Sequence, residues 1–354
     1  MFKAENRNLL HAIIIPLIAI VFGFILGALI MLFFGYSPLD AYNAMLSNVL
    51  TNPYFFGEAL RQATVLTLTG LGFNMAYQAG FFNIGLSGQL LMGWLFAIWF
   101  ALLFPDMPKI LAVPLFLLVG LVIGALWAGI AGFLRAYFGT NEVIVTIMLN
   151  YTALHFSNYM IRNVLATGNR TEIVGENASL ALGFLTNLTA GSRLNLGFFL
   201  AILCVVLFWF LMKQTTAGFE LRAVGLNSDA AEYAGMSTKK NIILAMVLSG
   251  ALAGLGGAIH GLGTFRNIFV QSALPQEGFD GIAVGLLGLG NPFGTFLSAI
   301  LLGILNIGAG FMPNGAGVPD ELADVIVAGI IFFIGANYII RRLFTRSSKK
   351  GGQI

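Results

Sequence analysis

Apolar positions run almost unbroken along this chain, interrupted at intervals by short polar or charged stretches. A membrane-spanning helix needs about 20 apolar residues in a row. At that length the runs predict ten spans, over about 11–35, 60–79, 82–104, 110–134, 141–160, 196–212, 242–264, 276–290, 293–311 and 321–340. The first run is too long for a signal-peptide core and lacks an A-x-A cleavage site, so it reads as an uncleaved span. After it, Ser37-Pro38-Leu39-Asp40 supplies a cap, a proline at N1 and an acid at N3, ahead of Leu39, Tyr42, Met45, Leu46 and Val49 at helical spacing. That pattern predicts a short interfacial helix on the outer side.

Two runs are interrupted from within. Ala79-Gly80-Phe81-Phe82-Asn83-Ile84-Gly85 and Glu277-Gly278-Phe279-Asp280-Gly281 insert glycine and polar groups into apolar sequence. Hydrocarbon tolerates such breaks only where protein or a water-filled cavity covers the backbone. Both are therefore candidate pathway positions.

Composition narrows the class. Charged residues, 18 Lys and Arg with 15 Asp and Glu, make up 9% of the 354, against about 25% in ordinary soluble domains, which excludes a soluble globular enzyme. Mean hydropathy is +0.88. The net charge of +3 reports topology and not nucleic-acid binding, because the basic residues cluster beside apolar runs. With ten spans starting inside, Lys3, Arg7, Arg135, Lys213, Arg222, Lys239, Lys240, Arg341, Arg342, Arg346, Lys349 and Lys350 fall inside, 12 of 18. Arg61, Lys109, Arg162, Arg170, Arg193 and Arg266 fall outside, and both termini come out cytoplasmic. The single Cys204 permits no intramolecular disulfide and no Cys-based metal site, and reads as a small core residue.

Two polar loops remain. The outer one, 161–195, matches the N-glycosylation pattern at Asn169, Asn177 and Asn187, as its composition readily does by chance; such matches matter only on a secretory route. In the inner one, 213–241, Asn227 is placed to cap a helix with Asp229 in its first turn, followed by Ala230, Ala231 and Ala234 and a left-handed stop at Gly235. A helix of two turns is marginal alone in water, so it needs a surface, either its own protein or a partner.

These residues together resemble the permease subunits of ATP-binding-cassette importers of the branched-chain amino acid, ribose and nucleoside group, most nearly the nucleoside permeases. The resemblance covers nearly the whole chain. It is carried by Gly35-Tyr36-Ser37-Pro38-Leu39-Asp40-Ala41-Tyr42, by 79–89 (AGFFNIGLSGQ), by 140–151 (TNEVIVTIMLNY), by 222–227 (RAVGLN) with Ala230, Ala231 and Gly235, and by 278–284 (GFDGIAV). The Asn-Ile-Gly segment and the Gly-x-Asn loop are shared across the group, whereas 140–151 is the part that resembles nucleoside permeases. One departure is Ser87, where the group usually carries an acid.

The resemblance implies an all-α polytopic membrane protein of a single permease domain, in a bacterial plasma membrane. Residues 1–57 would hold the first span and outer helix, 58–160 and 242–340 two inverted repeats, 196–241 a linking span and coupling loop, and 341–354 a basic tail. It implies that the short inner helix is the coupling helix, with Gly225, Asn227, Ala230, Ala231, Glu232 and Gly235 contacting an ATPase subunit. It also implies a second related permease and an extracytoplasmic nucleoside-binding lipoprotein. ATP and magnesium would sit on the ATPase, and this chain would carry no cofactor and no catalytic residue. Inverted repeats with broken helices around a central site suit alternating access.

A nucleoside is an uncharged ribose joined to a planar base, so its pathway needs amides, hydroxyls and aromatic faces. Asn74, Asn83, Ser87, Gln89, Asn150, Gln276 and Phe279 are the candidates, although membrane amides equally serve bonds between helices. Charged carboxylates are expensive in mid-membrane, which places Glu142 at the cytoplasmic mouth near Asn141 and gives Asp280 the role of cap for a helix beginning near Gly281.

Other cargo readings are ribose and branched-chain amino acids. An enzyme reading, an intramembrane serine protease of rhomboid type, rests on Gly85-Leu86-Ser87-Gly88 with His260 as base. It lacks the expected oxyanion residues and has too many spans. An ion-coupled secondary transporter would need mid-membrane acids, which are almost absent, and no P-loop is present for ATP hydrolysis on this chain.

Overall fold

The structure is a computed structural model that describes residues 18, 20–165 and 168–335. The basic residues near both ends, the first part of the 11–35 run, the end of the 321–340 run and the 341–354 tail lie outside the described residues. Among these the chain is all-helical, relieved only by two isolated antiparallel bridges, Arg170 with Phe269 and Ala181 with Asn195.

The described residues up to Phe56, together with those from Ile304, form one compact unit. It contains α1 (Ile20–Phe33), α2 (Pro38–Thr51), α14 (Met312–Ala316) and α15 (Asp320–Gly335). The cap expected at Ser37 is formed: its Oγ accepts from the Asp40 N–H at 3.4 Å, with Pro38 at the first helical position. Tyr42 Oη then donates to the Phe24 carbonyl at 2.7 Å, tying α2 to α1.

The second unit, Gly57–Gly303, holds the remaining helices, apart from residues 53–56 of α3 and 304–309 of α13. They are α3 (Pro53–Gln78), α4 (Leu86–Leu103), α5 (Lys109–Phe138), α6 (Glu142–Met160), α7 (Gly183–Leu188), α8 (Gly197–Gln214), α9 (Thr216–Leu226), α10 (Ser228–Tyr233), α11 (Thr238–Ile259, continued by a π-helical turn to Phe265), α12 (Gln276–Leu287) and α13 (Pro292–Ala309). Among the described residues, five helices are long and apolar enough to cross a membrane by length and composition: α4, α5, α8, α11 and α13. Helix α5 exposes Ile110, Leu118, Leu126 and Phe133, and α8 exposes Phe199, Leu203 and Phe210. A helix apolar on its outward face as well as its inward one belongs in hydrocarbon.

The sequence reading needs correction around 276–290. Helix α12 has 12 residues, about 18 Å at 1.5 Å per residue, short of the ~30 Å of a hydrocarbon core. It is a half-length helix, and the irregular backbone lies before it, over 266–275, not within 277–281. Asp280 is consequently inside α12 and not its cap; Pro275 holds the cap position without a side-chain bond.

The core is built on α4, α5 and α11. Gly93, Gly120, Gly124, Gly250 and Gly254 bring the three backbones into contact, so that a Cβ on Gly254 would lie 2.8 Å from the Gly124 Cα and closer still to the Gly120 carbonyl oxygen. Small residues serve this purpose in membranes because packing, not the hydrophobic effect, drives helices together. Leu91, Trp94, Phe116, Ile259 and Leu262 close the cluster around them.

Gly254→Val is therefore expected to force α5 away from α11. Overpacking of this kind destabilises by about 1–3 kcal/mol, read as a lower thermal midpoint of the detergent-purified protein. Gly129→Ala, where the nearest heavy atom is the Val247 Cγ2 at 3.3 Å, is the control expected to leave that midpoint nearly unchanged.

Candidate functional site

The chain breaks between α3 and α4. Gly80 takes φ +86°, a conformation open to glycine, and the backbone then runs without helical bonds to Gly85. Buried peptide groups here need partners; the Asn83 and Asn150 side chains supply them, and Gln89 braces Asn83. Asn83 and Gln89 form a reciprocal pair, Asn83 Nδ2 donating to Gln89 Oε1 at 3.0 Å and Gln89 Nε2 to Asn83 Oδ1 at 3.1 Å. Asn83 Oδ1 also accepts from the Gly85 N–H at 2.8 Å, and its Nδ2 reaches Ser249 Oγ on α11 at 2.8 Å. From α6, Asn150 bridges the break: its Oδ1 accepts from the Gly88 N–H at 2.8 Å and its Nδ2 donates to the Ile84 carbonyl at 2.9 Å. All three amides are buried.

The second irregular segment meets the first. Ser87 Oγ donates to the Pro275 carbonyl at 3.0 Å, and Gly278 packs so closely on Ser87 that any Cβ there would overlap it. The N-terminal turns of α4 and α12 thus abut, with Thr69 Oγ1 on α3 donating to the Glu277 carbonyl at 3.1 Å.

Beside this junction lies a cavity of about 240 Å³ lined by Trp94, His260, Phe265, Phe269, Pro275 and Glu277, with Gln271, Ser272, Ala273, Leu274 and Gln276 completing its wall. Trp94 and Phe265 stack, with centroids 5.2 Å apart and planes at 18°, and Phe269 stands edge-on to Phe265 at 5.4 Å. His260 packs edge-on against both, and its Nε2 lies 3.7 Å from Glu277 Oε1 while its Nδ1 is buried without a partner. At the same end of α3, Arg61 Nη1 reaches Thr264 Oγ1 at 3.4 Å. Arg61 also pairs with Glu58, which precedes the apolar run and accepts from Arg193 as well. Burial works to raise the Glu58 carboxyl, but the bonds from Arg193 and the charge of Arg61 outweigh it and hold the group below its ordinary value.

Of the seven pathway candidates, Gln276 lines the cavity and Ser87 anchors its wall through Pro275. Asn83, Gln89 and Asn150 are drawn together but into the fold's own bonding. Asn74 donates to Thr295 Oγ1 at 2.7 Å, with its Oδ1 buried and unpaired, and Phe279 is half-buried on α12 away from the cavity wall. Sequence reading missed Ser249 and the aromatic lining, and took Glu277 only as part of the interrupted segment 277–281. The aromatic-rich stretch 265–269 next to His260 was the available signal for the lining. Glu142 begins α6, capped by Asn141 and paired with Arg135 at 3.5 Å.

The residues of the 213–241 loop take the geometry their order suggests. Asn227 Oδ1 accepts from the Ala230 N–H at 3.0 Å, and Gly235, at φ +85°, ends the helix with its N–H on the Glu232 carbonyl and the Met236 N–H on that of Ala231. Gly225 lies against the backbone of Gln78 and Ala79, where no side chain would fit. Ala231 is buried, while Ala230, Glu232 and Gly235 are exposed; Leu226 and Tyr233 stand 88% and 95% exposed.

Residues 55–335 match the family model described as "Branched-chain amino acid transport system / permease component". The nucleoside ABC transporter permease protein NupB of Lactococcus lactis subsp. cremoris is 46% identical over 348 residues, 96% of this chain and 95% of that one. The guanosine ABC transporter permease protein NupP of Bacillus subtilis is 48% identical over 346 residues, covering 98% and 99%. A second Lactococcus protein, the nucleoside ABC transporter permease protein NupC, is 28% identical over 274 residues, 74% of this chain and 85% of its own length. No solved structure matches the chain.

Asn150→Ala would strand the buried Gly88 N–H and Ile84 carbonyl together. At about 1–3 kcal/mol for each unsatisfied group, the thermal midpoint of the purified protein is expected to fall by well over that of Thr152→Ala, whose exposed hydroxyl bonds only within its own helix. Equal midpoints for the two variants would show that Asn150 does not support the break.

Proposed function

The chain belongs to the branched-chain amino acid transport system permease family, and from that membership we propose that it imports nucleosides by alternating access, driven by a separate ATPase subunit. It is a multi-pass membrane transport component of the ABC class and not an enzyme. The observation that carries the cargo reading is the 46% and 48% identity, across almost the full chain, with permeases named for nucleosides and guanosine.

In this reading the irregular segment 266–275 and half-length α12 together complete one crossing, so that the chain crosses a bacterial plasma membrane ten times, with inverted halves at 58–160 and 242–340 and both termini cytoplasmic. The abutting N-termini of α4 and α12 are the broken helices of the two halves. The cavity beside them opens outward, toward an extracytoplasmic nucleoside-binding lipoprotein, and its aromatic faces and neutral polar groups suit an uncharged base and ribose. Asn83, Gln89 and Asn150 hold the pathway's wall in place; Ser87 and Gln276 stand at it. Helix α10 is the coupling helix, and Gly225 against the end of α3 gives it a rigid contact with the spans. NupB and NupC of one organism, both similar to this chain, support pairing with a second permease. The protease reading has no support: Ser87 is bonded to the Pro275 carbonyl and His260 faces Glu277, so no Ser-His dyad forms.

Two experiments test this. Deleting the gene is expected to abolish ATP-dependent uptake of labelled guanosine, adenosine and uridine, with excess ribose or leucine giving no competition in the wild type. Competition by either would move the cargo to that class. On the coupling face, Leu226→Asp with Tyr233→Asp is expected to lower uptake about tenfold or more by removing exposed apolar anchors from an interface centre. The purified permease should keep its thermal midpoint, and co-purification of the ATPase should be lost; retained co-purification and uptake would refute the docking assignment.

A further inference from the structure

The cavity beside α12 carries an arrangement more selective than passage of a polar solute requires. Phe265 is 37% exposed, and Trp94, 2% exposed, lies parallel behind it, pinned by its Nε1–H on the Asn267 carbonyl at 2.9 Å. With Phe269 and His260 standing edge-on to it, Phe265 presents the exposed part of its ring at the cavity wall. Successive bases stack on aromatic faces regardless of identity, so the platform accepts a planar ring without choosing among rings.

Glu277 supplies the choice. It sits in the first turn of α12, where the helix dipole favours a carboxylate, and its side chain is 23% exposed. Among the described residues its carboxylate makes no hydrogen bond and no pair with Lys or Arg; His260 Nε2 stands 3.7 Å from it. A carboxylate is acceptor-only, with two oxygens side by side, and leaving that capacity unmet in a partly buried wall is unfavourable. The ligand that satisfies it offers two adjacent, parallel N–H donors on the edge of a flat ring. Among nucleobases guanine does so, through N1–H and the exocyclic amine. Adenine and cytosine place a ring acceptor beside their amine, and uracil flanks its single N–H with carbonyls, so each sets a lone pair against a carboxylate oxygen.

We propose that Glu277, working with the Phe265–Trp94 platform, binds the Watson–Crick edge of guanine and makes this subunit selective for guanine nucleosides, a reading that rests on the nucleoside-permease assignment. Glutamine at position 277 would present one acceptor and one donor, the complement of adenine's N6 amine and N1.

The test is uptake by the whole transporter, with this chain, its partner permease, the ATPase and the binding protein reconstituted in liposomes, using labelled guanosine and adenosine at saturating binding protein. Glu277→Gln is expected to lower the guanosine-to-adenosine uptake ratio by about tenfold, the scale of one bidentate base contact, while ATPase activity of the assembled complex persists. Phe265→Leu is expected to weaken uptake of both nucleosides alike. An unchanged ratio in an active Glu277→Gln transporter overturns the proposal. Should that variant fail to assemble, Glu277→Asp decides: it keeps the carboxylate and must keep the guanosine preference, and loss of the preference overturns the assignment. Wild-type liposomes that import no nucleoside would sink the cargo reading itself, an outcome distinct from altered selectivity.

Discussion

A backbone that leaves its helix inside an apolar environment must find a protein partner for every peptide group it frees, and the segment from Ala79 to Gly85 is where this chain meets that demand. Asn83 closes the turn on the Gly85 N–H and locks reciprocally with Gln89, while Asn150 spans the gap from Ile84 to Gly88. With water excluded, the alternative for each group is no bond at all, which makes side-chain amides worth their own burial. The start of α4, and everything seated on it, depends on this network.

Close helix contact makes the network possible. Ser249 on α11 reaches Asn83 because α11 lies against α4 and α5 through paired glycines. The same economy of side chain at Gly278 lets α12 begin directly on Ser87, with Thr69 of α3 fixing the Glu277 carbonyl. A half-length helix started at that point leaves 266–275 as covered, irregular backbone, held by Asn158 on the Gln271 peptide and by Trp94 on Asn267. The cavity is the space this arrangement leaves in front of Phe265 and Glu277. Its shape follows from packing further in, while its chemistry is set by the few side chains at its wall.

Local order was readable in the sequence wherever one residue decides it. The caps at Ser37 and Asn227, the stop at Gly235 and the break at 79–85 all depend on neighbours within a few positions, and all form. The length of α12 was not readable, because Glu277 and Asp280 interrupt 276–290 without showing on which side of them the helix begins, and the tertiary fit of Gly278 on Ser87 sets its start. Nor was the division of labour among the amides. Asn150 finds its partners 62 and 66 positions away and Asn83 reaches across 166, so no spacing rule separates an amide that holds the fold from one that faces a cavity. The aromatic box failed to stand out for a related reason: Trp94 and Phe265 meet only when α4 and α11 pack, and either one alone is an unremarkable apolar residue in a chain with 32 phenylalanines.

The proposed cargo route runs through the cavity at the junction of α4 and α12, reached from outside. A cysteine placed at its rim tests this most directly, in a background where Cys204→Ala removes the chain's single thiol. Ser272→Cys, on the cavity wall and exposed, should react with a membrane-impermeant thiol reagent added to intact cells, and guanosine supplied to the working transporter should slow that reaction. Labelling confined to inside-out vesicles, or a rate indifferent to guanosine, would contradict the account.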